Sequence, residues 1–125
     1  MIPAIDRVKI SAAGKNQLMT LKRRTGIEHN NVLCRHALCS SLANPSKPPL
    51  ENINFVGGLE IDWKVFAGEA EQTYWNLIIL RCQQDEGAVS AESARQTLTQ
   101  HLHRGLSYLV SNKSGIPIEE IARKI

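Results

Sequence analysis

A chain of 125 residues, 42% hydrophobic and 22% charged, buries roughly two-thirds of its unfolded surface and needs no disulfide or metal staple to fold. It has no run of about 18 apolar residues, no charged-then-apolar leader in residues 1–6 and only three cysteines, which excludes a membrane span and predicts a cytoplasmic protein with reduced thiols. The net charge of +3 is uneven: residues 1–50 hold eight Lys/Arg against Asp6 and Glu28, so the positive field sits in the N-terminal third and favours a polyanion partner.

Residues 5–10 alternate, with Val8 and Ile10 on one side and Arg7 and Lys9 on the other, the period of a strand. One short strand is not stable alone, and pairing with a second copy of itself is the economical expectation. Ser11 reads as the N-cap of a helix over Ala12–Thr25, with Gly14, Leu18, Leu21 and Thr25 on one face. Lys15 and Lys22 share a neighbouring face. Arg23 and Arg24 carry positive charge round the last turn, where the helix dipole also favours cations, and Gly26 fits the left-handed position that ends the helix. A second helix, Asn31–Ala43, has Val32, Leu33, Cys34, Ala37, Leu38, Cys39 and Leu42 round most of its circumference, which predicts burial by a partner chain.

The stretch Asn44-Pro45-Ser46-Lys47-Pro48-Pro49 stops that helix. Two alternating runs, Ile53–Val56 and Leu59–Trp63, flank Gly57-Gly58 as in a hairpin, with an irregular connector as the alternative. A third helix fits Glu69–Gln84. A fourth fits Ala91–Asn112, striped by Ala94, Leu98, Leu102, Leu106 and Leu109 and stopped by Ser114-Gly115, and a short last helix fits 116–125. The expected fold is mainly α: a ribbon-helix-helix-like core over 5–43, a connector or small hairpin over 44–66, and a helical extension over 67–125, all in one domain.

A two-stranded ribbon that enters the DNA major groove needs long polar side chains two residues apart, and Arg7 and Lys9 meet that need. Backbone amides near Asn30 and Asn31, opening the second helix, suit a phosphate, and Lys15, Lys22, Arg23 and Arg24 add contacts to neighbouring phosphates. An exposed strand face and a capped helix on any soluble protein have the same residues. Among Cys34, His36, Cys39, Cys82, His101 and His103 there is no CxxC pair, and the histidines two apart on a helix diverge, so no metal site is expected. No phosphate-binding glycine loop and no base-activated nucleophile stands out; neither an enzyme nor a cofactor is expected.

The segments Val8-Lys9-Ile10-Ser11, Leu21-Lys22-Arg23-Arg24-Thr25-Gly26 and Asn31-Val32-Leu33-Cys34-Arg35 resemble the DndE family of bacterial DNA phosphorothioation (DNA sulfur modification) systems. Gly58-Leu59-Glu60, and Gly68-Glu69 ahead of the helix containing Tyr74, resemble the second half of that family, so that the likeness covers most of residues 7–110. The resemblance implies a non-catalytic subunit in a restriction-modification setting, with a ribbon-helix-helix core and extra helices. It implies a homotetramer that binds duplex DNA, notably nicked duplex, while partner subunits with cysteine desulfurase, iron–sulfur and ATPase activities perform the sulfur chemistry. Two further classes remain open: a ribbon-helix-helix repressor or antitoxin reading a palindromic operator, and a structural adaptor of the modification complex.

Overall fold

Local rules set the first elements of the computed structural model, which describes residues 2–111. Strand β1 (Arg7–Ile10) leads directly into helix α1 (Ala12–Thr25). Ser11 caps α1 by accepting the Gly14 N–H at 3.0 Å, and Gly26 closes it with φ 75°. Helix α2 (Asn30–Leu42) follows, starting and ending one residue earlier than its pattern suggests. Then come β2 (Leu59–Asp62), the short helix α3 (Trp63–Ala67), a 3-10 turn (Gly68–Ala70), and the long helices α4 (Glu71–Glu86) and α5 (Ala91–Val110). The architecture is mainly α, as expected. The predicted ends at Asn112 and Ser114-Gly115 and the predicted helix over 116–125 lie outside the described residues.

Two expectations are corrected. The partner of β1 is β2 of the same chain, antiparallel, with Arg7 opposite Asp62, Val8 opposite Ile61, Lys9 opposite Glu60 and Ile10 opposite Leu59. Alternation announces a strand but not its partner, here some fifty residues downstream. The hairpin within the connector is absent: Ile53–Val56 forms no strand, and the backbone instead turns so that the Gly58 N–H donates to the Phe55 carbonyl at 3.1 Å. Gly58 is required by close approach, because a Cβ there would lie 1.8 Å from the Ile10 carbonyl oxygen. The alternation Leu59, Ile61, Trp63 also runs past the true end of β2, since Trp63 opens α3.

Burial of α2 is corrected in the same sense. All thirteen of its residues are buried or half-buried, as its apolar circumference demands, but the cover comes from within the chain, from α5 with α1 and α3. Leu33, Cys34, Ala37 and Leu38 join Leu98, Leu102 and Leu106 of α5, Trp63 and Phe66 of α3, and Leu18 and Leu21 of α1 in one apolar cluster. The two central helices run antiparallel and nearly touch: a Cβ on Gly105 would stand 1.7 Å from the Ala37 carbonyl oxygen. Ser90 starts α5 with a reciprocal capping box to Ser93, which satisfies amides that the helix cannot.

Candidate functional site

Helix α1 carries four cations, Lys15, Lys22, Arg23 and Arg24, and no carboxylate. Its apolar side, Gly14, Leu18 and Leu21, is spent on the core, which leaves Lys15, Arg23 and Arg24 exposed and Lys22 half-buried. Seven residues is close to two helical turns, so Lys15 and Lys22 project within about 20° of one another. No Asp or Glu among the described residues lies within ion-pair distance of these four. Arg24 donates through Nη1 to the Val110 carbonyl at 2.7 Å, pinning α1 to the end of α5 while keeping its charge, and Arg23 reaches Thr20 Oγ1 at 3.5 Å.

The ribbon has a different electrostatic character. Arg7 and Lys9 do face outward, but β2 sets Glu60 and Asp62 beside them on the same face. Arg7 Nη1 lies 3.1 Å from Glu60 Oε2 and its Nε 3.7 Å from Asp62 Oδ1. The Glu60 hydrogen bond, reinforced by both carboxylate charges, raises the Arg7 pKa above its ordinary value. The outward ribbon face, two cations and two carboxylates, is therefore balanced. Elsewhere in the basic third, Lys47 pairs with Glu86 at 2.8 Å and Arg35 is turned inward to the Phe66 carbonyl at 2.9 Å. The uncompensated charge condenses onto α1.

Four residues, Gly26–His29, join α1 to α2, so the Lys22–Arg24 cluster and the amide end of α2 lie at one end of the helix pair. The α2 N-cap, His29, makes no side-chain capping bond, and the first turn holds no acidic residue. The Asn31 side chain donates to the Val65 carbonyl at 3.3 Å, while Asn30 Oδ1 is buried with no hydrogen-bond partner among the described residues. What this end offers an anion is therefore backbone amides, with the asparagine side chains turned to the protein.

A buried polar network went unnoticed in the sequence because its members come from three helices. Ser41 of α2 is bonded to His101 Nδ1 at 2.8 Å, and His101 Nε2 to Asp85 Oδ2 at 2.9 Å. Arg81 donates to Asp85 Oδ1 at 2.9 Å and to the carbonyls of Leu42, Asn44 and Ser46 at 3.0, 2.6 and 2.8 Å. Arg104 donates to Ser41 Oγ at 2.8 Å and to the Ser41 carbonyl at 2.9 Å. The last turn of α2 contains no basic residue of its own, so Arg81 and Arg104 supply from α4 and α5 the charge and donors that its terminal carbonyls need. Ser41, His101 and Asp85 stand in the order of a nucleophile, base and acid. Ser41 and His101 are both 0% exposed, however, and Arg104 occupies the serine oxygen. The network is a clamp.

Its protonation follows from the bonds. Because Ser41 Oγ accepts from Arg104, its own hydrogen goes to His101 Nδ1, and His101 Nε2–H donates to Asp85, which makes the imidazole neutral. Burial lowers the His101 pKa, helped by the Arg81 and Arg104 charges and opposed by Asp85. Burial likewise lowers that of His103, which accepts the Ser11 N–H at 3.1 Å and donates to the Thr99 carbonyl at 2.8 Å. For Asp85 burial acts upward, but the bonds from His101 and Arg81 outweigh it and lower the carboxyl pKa. Both histidines thus stabilise the fold fully above the ordinary value of 6.5, and that contribution is lost as pH falls below it. Denaturant midpoints are expected to be flat between about pH 7 and 8, to decline steadily from about pH 6.5 downward, and to decline again above about pH 9, where unfolding lets the buried Cys34 thiol ionise; a midpoint that rises as pH falls from 7 contradicts the histidine assignment.

Burial disfavours a thiolate at Cys34 and at the half-buried Cys39, whose pKa it also raises. Cys34 is sealed in the core, where burial pushes its thiol up to about 12, and Cys82 is buried against Ser93. Among the described residues, no group of three or more His, Cys, Asp or Glu is placed to hold a metal, and no helix is long and apolar enough to cross a membrane.

Solved structures share this architecture, among them two of DndE proteins. One is DndE from Escherichia coli B7A, involved in DNA phosphorothioation modification, at 22% identity and TM-score 0.67, covering 86% of this chain and 98% of that one. The other is a mutant DndE, also involved in DNA phosphorothioation, at 19% identity and TM-score 0.63, covering 85% of this chain and 97% of that one. No curated protein sequence matches. The family described as DNA sulphur modification protein DndE matches residues 7–115, which is nearly the whole described chain, and the protein therefore belongs to the DndE family.

Proposed function

We propose that this chain is a non-catalytic, DNA-binding subunit of the cytoplasmic phosphorothioation machinery, assembling as a homo-oligomer, a tetramer as the family resemblance implies. Duplex DNA is gripped by its phosphates, with a preference for nicked duplex. The observation that carries the reading is the outward side of α1: four cations, no carboxylate and no competing ion pair among the described residues. Phosphate contacts by Lys15, Lys22, Arg23 and Arg24, with the α2 amides at Asn30 and Asn31 beside them, neutralise charge without reading sequence. Arg7 and Lys9 border the same third of the chain, but their field is offset by Glu60 and Asp62, which favours backbone binding over base readout from the ribbon. Support for a role without chemistry comes from the sealed Ser41 and the protonated Cys34.

Four phosphate contacts correspond to a log–log salt slope near about −3.6. The triple variant Lys22→Ala, Arg23→Ala, Arg24→Ala is expected to weaken binding to every sequence alike and to flatten that slope to about −1. Fluorescence anisotropy on intact, nicked and operator-like duplexes across a salt series checks this. Salt-independent affinity sinks the electrostatic account, whereas a loss confined to one sequence restores base reading by Arg7 and Lys9.

A further inference from the structure

Strand β1 is paired along one edge only. The Trp63 N–H donates to the Asp6 carbonyl at 2.8 Å, and bonded pairs alternate along an antiparallel ladder. Val8 and Ile10 therefore bond to Ile61 and Leu59, while the N–H and C=O groups of Arg7 and Lys9 point away from β2. Ser11, next in that alternation, follows the same direction: its N–H is taken by His103 Nε2 of α5 at 3.1 Å. The Arg7 and Lys9 backbone groups have no hydrogen-bond partner among the described residues. They open onto a groove of about 770 Å³ between β1, the first turns of α5 and the connector, with Ile5, Ile53, Phe55 and Leu98 among its walls and no β2 residue among its described lining.

We propose that this groove takes an extended segment of a partner protein as a third strand on β1, a segment in which carboxylate and aliphatic side chains alternate. The inference is independent of the DNA reading. Donors and acceptors on residues two apart along a free edge match the backbone of another strand, and neither a duplex nor a helix face supplies that pattern. Charge selects the outer side chains. Glu60 lies opposite Lys9 but turns to Arg7 at 3.1 Å, where Asp62 also stands at 3.7 Å. Lys9 is left with no carboxylate within 4 Å among the described residues, and a carboxylate on the incoming strand would answer it. A second copy of β1 would instead set cations against cations. On the inner side, alternate side chains would meet Ile53, Leu98 and Phe55, the last still 38% exposed, and aliphatic groups remove that surface from water.

A synthetic peptide of about six residues alternating Glu and Val, capped at both ends, tests this on the full chain; a peptide of the same composition in two blocks is the control. The Arg7 and Lys9 amides are expected to exchange hydrogen freely in the chain alone and to slow about tenfold at saturating alternating peptide, but not with the block peptide. Lys9→Pro removes the N–H that faces the groove and none that bonds β2, and is expected to abolish the slowing at Arg7. Lys9→Glu leaves every backbone group in place; it is expected to lower affinity for the Glu–Val peptide about tenfold and to raise it for a Lys–Val peptide. Absence of slowing with any peptide overturns the proposal, as does an equal response to the alternating and block peptides. Protection of both amides in the chain alone overturns it as well, in favour of cover from residues 112–125 or from a second copy.

Discussion

Replacing Arg81 by Ala is expected to cost about 3–5 kcal/mol, much of the stability of a domain this size. Arg81 is 6% exposed and occupied at every donor position in use: one bond to Asp85 and three to carbonyls at and beyond the end of α2. Its removal leaves the Asp85 carboxylate buried with only His101 beside it, and three carbonyls lose the donor that now holds them. Arg95→Ala is the control, since Arg95 pairs with Glu92 on the exposed side of α5; a surface pair of that kind contributes about 0.2–1 kcal/mol. Urea denaturation followed by circular dichroism separates the two, and similar losses in both variants would show that the clamp contributes no more than a surface pair.

Gly105→Ala is expected to be comparably damaging, about 3 kcal/mol or more, although Ala is the better helix former by about 1 kcal/mol. The propensity gain is outweighed because the new methyl would meet the Ala37 carbonyl oxygen at 1.7 Å and its carbon at 2.3 Å. Backbone cannot rotate aside as a side chain does, so α2 and α5 must separate, and Leu102 and Leu106 lose contact density with Leu33 and Leu38. Gly87→Ala provides the comparison: its φ of 77° strains an L-residue, but nothing lies within 4 Å. A cost of about 1–2 kcal/mol is expected there. The ranking Gly105 above Gly87 in thermal melts is the result to look for; an unperturbed Gly105→Ala would mean that the helices do not cross so closely.

Local chemistry was legible in the sequence and long-range pairing was not. Ser11 and Gly26 announce α1 because capping involves neighbours within a turn. The stripe from Ala94 to Leu109 announces α5 for the same reason. The partner of β1, by contrast, depends on which distant segment arrives beside it, and the alternation of Leu59–Trp63 suits a hairpin with its own neighbour as well as it suits β1. An apolar circumference on α2 showed that the helix is buried but could not tell a partner chain from α5. The candidate DNA surface followed the same division. The cations were all visible, yet the ones that retain a free field could be separated from Arg7 and Lys47 only once Glu60, Asp62 and Glu86 had been located in space. Gly105 carries no local signal in the helix pattern; its purpose lies in Ala37, almost seventy positions away.

The placement of α2 at the centre bears on how the chain is born. Leu33, Cys34, Ala37 and Leu38 leave the ribosome early, whereas α5, which covers them, ends at Val110. The strand–helix–helix segment cannot reach its final packing until roughly seventy further residues have been made, and through that interval it holds an apolar helix open to water and to chaperones. A fragment ending before Ala91 is for the same reason expected to be recovered aggregated, so a C-terminally truncated chain is a poor vehicle for isolating the basic helix.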